Sequence, residues 1–311
     1  MEAAVSNILV SLGLERGTPL ERALSFFIYD SVKILVMLAT IIFIMAVIRT
    51  YLPPERVRNL LNRRRGAGNF AAAGLGVFTP FCSCSAIPMY IGFMESGIPL
   101  GVALSFLIAA PLVNEVALAM LFGLFGLKVA ALYLVTGLTI AITAGIIIGL
   151  LRLESQVEEN FRISCRPAPA GSIGFPERIG YAAGYTSDMI RRIWYWILIG
   201  IALGAFLHGY TPDDFLAAHA GSSNPLAVPL AVAIGVPLYA SCGGVIPVAY
   251  VLLQKGMALG TVLAFVMAVS ALSFPEIIIL RQVMKPKLLS LFVAIVSISI
   301  VGVGYLFNAL F

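Results

Sequence analysis

The stretch that decides the fold runs from Thr79 to Pro88 and reads Thr-Pro-Phe-Cys-Ser-Cys-Ser-Ala-Ile-Pro. It interrupts an apolar run that is long enough to enter a membrane, and each of its two prolines removes a backbone donor from a helix. Irregular backbone at membrane depth persists only where it is buried in protein or lines a cavity. The stretch, with the thiols of Cys82 and Cys84, therefore predicts a cavity lining rather than a lipid-facing helix.

A second interruption of the same kind runs from Val236 to Pro247 and reads Val-Pro-Leu-Tyr-Ala-Ser-Cys-Gly-Gly-Val-Ile-Pro. Its two glycines, Gly243 and Gly244, allow close backbone approach and unusual dihedral angles. We expect the two interruptions to be partners in one substrate site. The side chains expected at that site are Cys82, Ser83, Cys84, Ser85, Asn114, Tyr239, Ser241 and Cys242. The prolines expected to break helices are Pro80, Pro88, Pro111, Pro237, Pro247 and Pro275.

The composition is that of a polytopic integral membrane protein. Of 311 residues, 60% are hydrophobic and 11% are charged, against about 25% charged in soluble domains. The absence of a long polar stretch excludes a large soluble domain, and the basic residues cluster in short loops rather than in a nucleic-acid-binding patch. No phosphate-binding glycine motif, Walker lysine or Ser-His-Asp order is present, so ATP hydrolysis within this chain is not expected. The leading expectation is a protein that is not an enzyme and holds no cofactor.

The two halves of the chain repeat at an offset of about 159 residues, a symmetry that is common in transporters. We assign residues 1–151 to a first membrane repeat, 152–192 to a linker and the start of the second repeat, and 193–311 to the second repeat. A two-residue slip is needed to match Glu115 with Glu276. The residues that match without a slip include Gly76 and Gly235, Pro88 and Pro247, Gly101 and Gly260, Phe106 and Phe265, and Lys128 and Lys287.

The distribution of basic residues favours one topology over another. If each interruption is a re-entrant hairpin, each half has three transmembrane helices and the two halves are inverted. The segments Arg49–Arg65, 152–192 and Arg281–Lys287 then share one side, with six, six and three of the twenty Lys and Arg residues. The positive-inside rule favours this all-α arrangement of two inverted repeats, with both termini outside. The alternative is eight conventional spans, which divides the basic residues almost evenly.

Three thiols and two acids carry the chemistry that we expect at the site. In an inverted repeat the two interruptions meet near the bilayer midplane, which would bring Cys82, Cys84 and Cys242 together as ligands for a soft metal or metalloid. Glu115 and Glu276 lie deep in apolar runs, where an intramembrane acid marks a functional site such as a proton-coupling group. The alternatives are cysteines that pack as small hydrophobic side chains and acids that stay protonated and bind broken backbone.

The chain is similar to the ArsP-type predicted permeases over nearly its whole length. The residues that carry the resemblance are Thr79–Ser85 with Ile87-Pro88, the Gly97–Gly101 turn, Ala110–Glu115, and Ser241–Gly244 with Pro247. The resemblance implies an efflux permease in the plasma membrane of a prokaryote, and functionally studied members export trivalent organoarsenicals with the involvement of cysteine thiols. The second interruption has one cysteine here rather than a pair.

The leading hypothesis is therefore a secondary transporter, embedded in the lipid bilayer, that exports a thiophilic small molecule, metalloid or soft metal ion. Two alternatives stay open, namely a transporter of a sulfur compound and an intramembrane thiol-disulfide oxidoreductase. Thiol oxidoreductases usually carry Cys-x-x-Cys pairs and loop cysteines that relay electrons, whereas only Cys165 lies in a loop here. A scaffold role is the weakest hypothesis, because two polar interruptions at membrane depth are costly without a solute.

Overall fold

The computed structural model of the protein describes residues 18–51, 66–78, 83–95, 97–157, 174–210, 226–237, 242–254 and 256–311. These ranges are helical apart from turns, one short 3₁₀ helix and an isolated β-bridge, as the sequence predicts. The helices are α1 (Pro19–Tyr51), α2 (Ala67–Phe78), α3 (Ser83–Glu95), α4 (Leu100–Leu112), α5 (Glu115–Phe125), α6 (Leu127–Leu150), α7 (Phe175–Tyr210), α8 (Ala227–Gly235), α9 (Cys242–Gln254), α10 (Leu259–Ala271), α11 (Phe274–Val283) and α12 (Pro286–Leu310).

Three helices of the described residues are long and apolar enough to cross a membrane, namely α1 over Phe27–Ile44, α6 and α12. Helices α4 and α5 meet the same criteria together, as a pair that is bent by 46° at the break between them. Helices α2 and α3 have 12 and 13 residues, or roughly 18–20 Å, which is too short for a hydrocarbon core of about 30 Å. The residues that the structure describes are therefore all-helical with three to four candidate spans, and the number six stays a prediction.

Helices α2 and α4 run side by side in the same direction. Near their starts, the Asn69 side-chain amide donates to the Gly101 carbonyl at 3.0 Å. Near their ends, a Cβ atom at Gly76 would lie 2.9 Å from the Cβ of Ala109. Helix α3 also packs on α4 and joins it through a tight turn in which Gly97 has a φ of +74°. The chain therefore reverses direction between α2 and α3 and again between α3 and α4. We call α2 and α3 the first hairpin, and its re-entrant course in a membrane stays a prediction.

Contacts with α6 give the depth of that hairpin. Helix α6 has 24 residues, roughly 36 Å, and runs antiparallel to α4, because Gly149 near its end lies against Gly101. Gly137, in the middle of α6, lies against Val113, just after the end of α4. The end of α2 is level with the last two turns of α4 through Gly76. If α6 spans the membrane, both the α2–α3 reversal and the α4–α5 break lie near its middle.

The helix boundaries recur 159 residues further along the chain. Helices α3 and α4 correspond in this way to α9 and α10, residue for residue at both ends. The starts of α5 and α6 correspond to the starts of α11 and α12. Gly97 and Gly256, at the same offset, each follow a hairpin helix with a positive φ, +74° and +92°. The recurrence therefore includes local backbone conformation as well as helix length.

A close contact between two helices of the first half recurs in the second half. A Cβ atom at Gly76 would meet Ala109 at 2.9 Å, and one at Gly235 would meet Ala268 at 3.0 Å. All four residues match at the 159-residue offset. Each glycine lets a short hairpin helix pack closely on the buried helix that follows the hairpin, because a side chain there would push the two backbones apart.

The contact between the buried helix and the long helix recurs as well. A Cβ atom at Gly101 would clash with the carbonyl of Gly145, and one at Gly260 would clash with the carbonyl of Gly304. A different polar group supports each crossing. In the first half Asn69 of α2 also bonds Ser105 at 2.9 Å, whereas in the second half the backbone N–H of Gly260 donates to the side chain of Asn308 of α12 at 2.7 Å.

Helices α6 and α12 are in contact at both ends, and each end of α6 meets the opposite end of α12. The backbone N–H of Lys285, at the start of α12, donates to the Gln156 carbonyl just beyond the end of α6 at 2.8 Å. At the other end, the ammonium of Lys128 near the start of α6 lies 4.7 Å from the ring centroid of Phe311, just beyond α12. These matching helices are therefore antiparallel.

Helices α1 and α7, which also match at the 159-residue offset, are antiparallel too. Arg178, near the start of α7, donates to the Thr50 carbonyl and hydroxyl near the end of α1, at 2.6 and 3.0 Å. Helix α7 begins at Phe175, so residues 175–192 are helical and continuous with the apolar run that follows. This stretch therefore belongs to the start of the second half rather than to an irregular linker.

Candidate functional site at the two hairpins

The first candidate tip lies between the end of α2 at Phe78 and the start of α3 at Ser83. Pro80 and Cys82 lie outside the described residues. The first turn of α3 is made by Ser83, Cys84 and Ser85, whose side chains, like that of Pro88, lie outside the described part. The second thiol of the Cys-Ser-Cys motif thus belongs to the beginning of a short helix, where backbone N–H groups lack helical partners.

The second candidate tip lies between the end of α8 at Gly235 and the start of α9 at Cys242. Pro237 is exposed after α8, while Tyr239 and Ser241 lie outside the described residues. Four predicted residues fall within α9 with side chains outside the described part, namely Cys242, Gly243, Gly244 and Pro247. The matching starts of α3 and α9 therefore give each tip a cysteine in the first turn of its returning helix.

Helix α9 packs against α5 of the first half. Ala117, in the first turns of α5, is 1% exposed and belongs to an apolar cluster with Val245 and Ile246 of α9. Further along, the rings of Phe125 and Tyr250 are 6.0 Å apart in an edge-to-face arrangement. Helix α5 begins at the break after α4, so this packing brings the first-half break beside the helix that begins with Cys242.

The reciprocal pair, α3 and α11, is also in contact. Glu276, in the first turn of α11, is 2% exposed. It corresponds at the 159-residue offset to Ala117, which lies in the α5–α9 contact. Pro275 stands at the helix start, where a missing N–H costs no helical bond. The second-half break thus holds a buried carboxyl on the helix that packs against α3, the helix of the Cys-Ser-Cys motif.

The two acids predicted as a pair have different positions. The match of Glu115 with Glu276 by a two-residue slip is wrong, because α5 and α11 begin at Glu115 and Phe274, which are 159 residues apart. Glu115 is exposed in the first turn of α5, at the end of the break, whereas Glu276 is buried. The two carboxyls therefore differ in environment as well as in position within the repeat.

The offset of 159 residues also identifies a further candidate site residue, which the sequence pattern did not indicate. Asn114 is half-buried immediately before α5, and its counterpart Ser273, 4% exposed, is immediately before α11. Both carry a short polar side chain at a helix start, the position that such side chains favour. Pro111 lies inside the last turn of α4, where its missing N–H helps to end the helix before Asn114.

No group of three or more His, Cys, Asp or Glu side chains that could hold a metal ion is present among the described residues. The side chains of Cys82, Cys84 and Cys242 are not among them. A three-thiol site therefore stays a prediction.

Comparison with known proteins identifies the family. The family model ArsP_1, described as a predicted permease, matches residues 19–309. The chain belongs to the ArsP_1 family. The resemblance based on the two interruptions is thereby confirmed, and the ArsP_1 match covers both hairpins and all twelve described helices.

Curated relatives of this ArsP_1 protein come from bacteria and an archaeon. UPF0718 protein YraQ of Escherichia coli (strain K12) is 26% identical over 264 residues, 83% of this chain and 73% of that protein. A Streptococcus mutans protein named "Putative two-component membrane permease complex subunit" is 23% identical over 256 residues, 82% of this chain and 84% of that protein. UPF0718 protein MJ0584 of Methanocaldococcus jannaschii is 20% identical over 277 residues, 70% of this chain and 76% of that protein. No solved structure gives a significant match.

Proposed function

We propose that this ArsP_1 member is a secondary transporter that exports a thiophilic solute through a site between its two hairpin tips. The observation that carries the proposal is the level of the end of α2, which lies beside the last turns of α4 and near the middle of α6, directly before the segment that leads to Cys84. If α6 spans the membrane, this level is near the middle of the bilayer. A polar, thiol-bearing reversal at that depth is costly unless it contacts a solute, since lipid offers no hydrogen-bond partner.

The proposal includes two inverted repeats, each with a hairpin, α2–α3 or α8–α9. Matching helices that lie against each other run antiparallel, as α6 does with α12 and α1 does with α7. Repeats related by an axis along the membrane normal would make such pairs parallel, whereas an axis in the membrane plane makes them antiparallel. The recurring glycine contacts support the same internal symmetry.

Helix contacts between the two halves support a shared site at the two tips. Helix α9 packs on α5 and helix α3 packs on α11, so each returning hairpin helix contacts the helix that follows the other half's break. We propose that Cys82, Cys84 and Cys242 share a common centre with Ser83, Ser85, Ser241, Tyr239 and Asn114. Thiols favour soft ions, so a trivalent arsenical or a soft metal ion is the substrate class that this set fits best.

The two acids supply a proposed route for coupling to protons. Glu276 is buried in the break of the second half, where a charged carboxylate is costly and a protonated one is not. Glu115 is exposed at the matching break of the first half. A buried acid that loads and releases a proton while solute binds nearby, with a second acid in contact with water, would couple export to the proton gradient.

A topology follows from this arrangement, and we expect it to be testable with single cysteines. The end of α1 and the start of α7 lie together, as do the end of α6 and the start of α12, so the basic segments between them share one side. In a chain lacking native cysteines, Arg63→Cys and Glu177→Cys should react with an impermeant thiol reagent only after cells are opened. Asp213→Cys, in the acidic loop on the opposite side, should react in intact cells.

Labelling of only one of the two basic-side positions in intact cells would restore eight conventional spans. Equal labelling of all three positions before and after opening would likewise contradict the inverted arrangement.

Loss of transport on thiol replacement is the expected result that tests the proposed function. Cys82→Ser, Cys84→Ser or Cys242→Ser should reduce protection of a sensitive host against arsenite, methylarsenite or antimonite at least about tenfold, because a preorganised thiol set is broken. Serine nearly keeps the side-chain volume, so the loss would report ligand chemistry rather than a packing cavity. Growth inhibition across these metalloids, with copper and zinc in parallel, is the measurement.

Cys165→Ser is the matched control, since this cysteine lies in the segment between the halves and should have no effect. Full protection by the triple Ser variant would contradict the thiol site and indicate a harder, more polar substrate. Thiol turnover without solute movement in vesicles would instead favour the oxidoreductase alternative, and movement of a sulfur compound alone would favour the second transporter hypothesis.

A further inference from the structure

Two oppositely charged side chains lie on the exposed face of α7. Asp188 and Arg191 are both exposed and one helical turn apart. Neither makes a hydrogen bond or an ion pair within the part of the chain that the structure describes. The same face carries the exposed side chains of Ala183, Ser187 and Trp194, so the two charges belong to one continuous stripe of α7.

The depth of these charges follows from the packing of α7 on α1. Arg191 and Ser187 line an open groove of about 580 Å³ together with Ala39 and Thr40 of α1. Thr40 lies within the candidate span Phe27–Ile44, roughly 7 Å from its centre at a rise of about 1.5 Å per residue. If this span crosses the membrane, Arg191 lies at hydrocarbon depth. Asp188 then lies one turn nearer to the membrane surface on the side where α7 begins.

Lipid alone is a poor environment for this face. Charged side chains at such depth usually face protein or a water-filled cavity. An anionic lipid headgroup is not a suitable partner, because headgroups lie about 15 Å from the bilayer centre, well beyond the level of Arg191. A protein partner that brings one negative and one positive charge to the same level would satisfy both side chains.

We propose that this face of α7 is the interface between two copies of the chain. In a membrane dimer related by a two-fold axis along the membrane normal, the two α7 helices are parallel and each presents the same surface. Asp188 of one copy then lies about one turn, roughly 5 Å, from the level of Arg191 in its partner. The symmetry makes two reciprocal ion pairs, so the face is complementary to itself.

The shape of the face agrees with close packing of two helices. Gly180, Ala183, Gly184 and Ser187 form a run of small residues on α7, which allows two helix backbones to approach in a membrane. The groove beside them, between α1 and α7, provides room for larger side chains from the partner. Charge complementarity selects the second copy as the occupant, and the small residues allow the approach that the ion pairs need.

Disulfide cross-linking in membranes, combined with charge reversal, tests the interface. Ser187→Cys in the full-length chain without its four native cysteines, oxidised with copper phenanthroline, should give a product of twice the mass of the chain. Ile298→Cys, on the exposed face of α12, is the matched control at similar depth and should give none. Asp188→Arg or Arg191→Asp alone should reduce the cross-linked product about tenfold or more, because like charges then face each other.

The double variant Asp188→Arg with Arg191→Asp should restore the product, since it exchanges the two charges and keeps the reciprocal pairs. Recovery also excludes misfolding as the cause of the loss in the single variants. Absence of the Ser187→Cys dimer, a yield that the single reversals leave unchanged, or failure of the double variant to recover would overturn the proposal. A product whose added mass is not that of this chain would assign the face to a different polypeptide and overturn it too.

Discussion

Gly304→Val is expected to remove most of the folded protein from the membrane, whereas Gly302→Val, on the same helix, is expected to leave it in place. A Cβ atom at Gly304 would lie 2.5 Å from Cγ1 of Val228 and 2.9 Å from the Cβ of Ala264, while one at Gly302 would meet nothing within 4 Å. Forcing side-chain atoms into a close-packed contact typically costs about 1–3 kcal/mol and sometimes more. We expect Gly304→Val to be at the upper end, because both neighbouring helices are held by other contacts.

The measurement is the yield and melting temperature of a fluorescent fusion, followed by size-exclusion chromatography in detergent. Gly302→Val introduces the same β-branched residue into α12 and therefore controls for helix propensity. Equal melting temperatures of the two variants would show that α10 and α12 do not pack through Gly304, and would remove one of the recurring contacts on which the internal symmetry rests.

Glu276→Gln is expected to abolish concentrative transport while leaving the fold intact. The amide has nearly the shape of the carboxyl but cannot take up or release a proton, so export against a gradient should fall about a hundredfold, within the range attributed to positioned proton-transfer groups. Passive exchange of solute across the membrane should continue, because the tips themselves are unchanged. Vesicle uptake with and without an imposed pH gradient measures the two activities separately.

Glu154→Gln is the control, since it makes the same chemical change at an exposed acid in the 3₁₀ helix beyond α6. A variant that loses exchange and concentrative transport together, with a lower melting temperature, would indicate a structural acid. Unchanged dependence on the pH gradient in Glu276→Gln would contradict proton coupling through this residue.

The sequence predicted the interruption after α2 because its signal is chemical and local. Helix α2 ends at Phe78, just before Pro80, but α3 already begins at Ser83, so residues 83–88 are helical rather than irregular. The sequence also indicated the offset of 159 residues, because glycines at which helices make close contacts recur at that spacing. Gly97, which has a positive φ in a tight turn, also has its counterpart 159 residues further along the chain.

Other features depend on tertiary contacts that no local pattern reveals. The polar stretch before Arg191 resembled a linker, yet it is helical because it packs along α1 and is held by Arg178 at Thr50. The two-residue slip that matched Glu115 with Glu276 came from pairing two residues because both are glutamates. Only the helix boundaries reveal that Ala117 and Glu276 are the true counterparts. The two acids also differ in burial, since Glu115 is exposed and Glu276 is buried, whereas hydropathy alone treated them as equivalent.

The complete burial of α4 has a consequence for how the protein is made. Every residue of α4 is buried, partly against α10 of the other half, so little of this helix faces lipid in the finished protein. After residue 151, the ribosome must add about 120 further residues before α10 ends at Ala271, which takes roughly 6–24 seconds at about 5–20 residues per second. During that interval α4 lacks a partner that only later synthesis provides. The first half therefore depends on the insertion machinery, or on a membrane chaperone, to keep its unfinished interface from associating with other proteins.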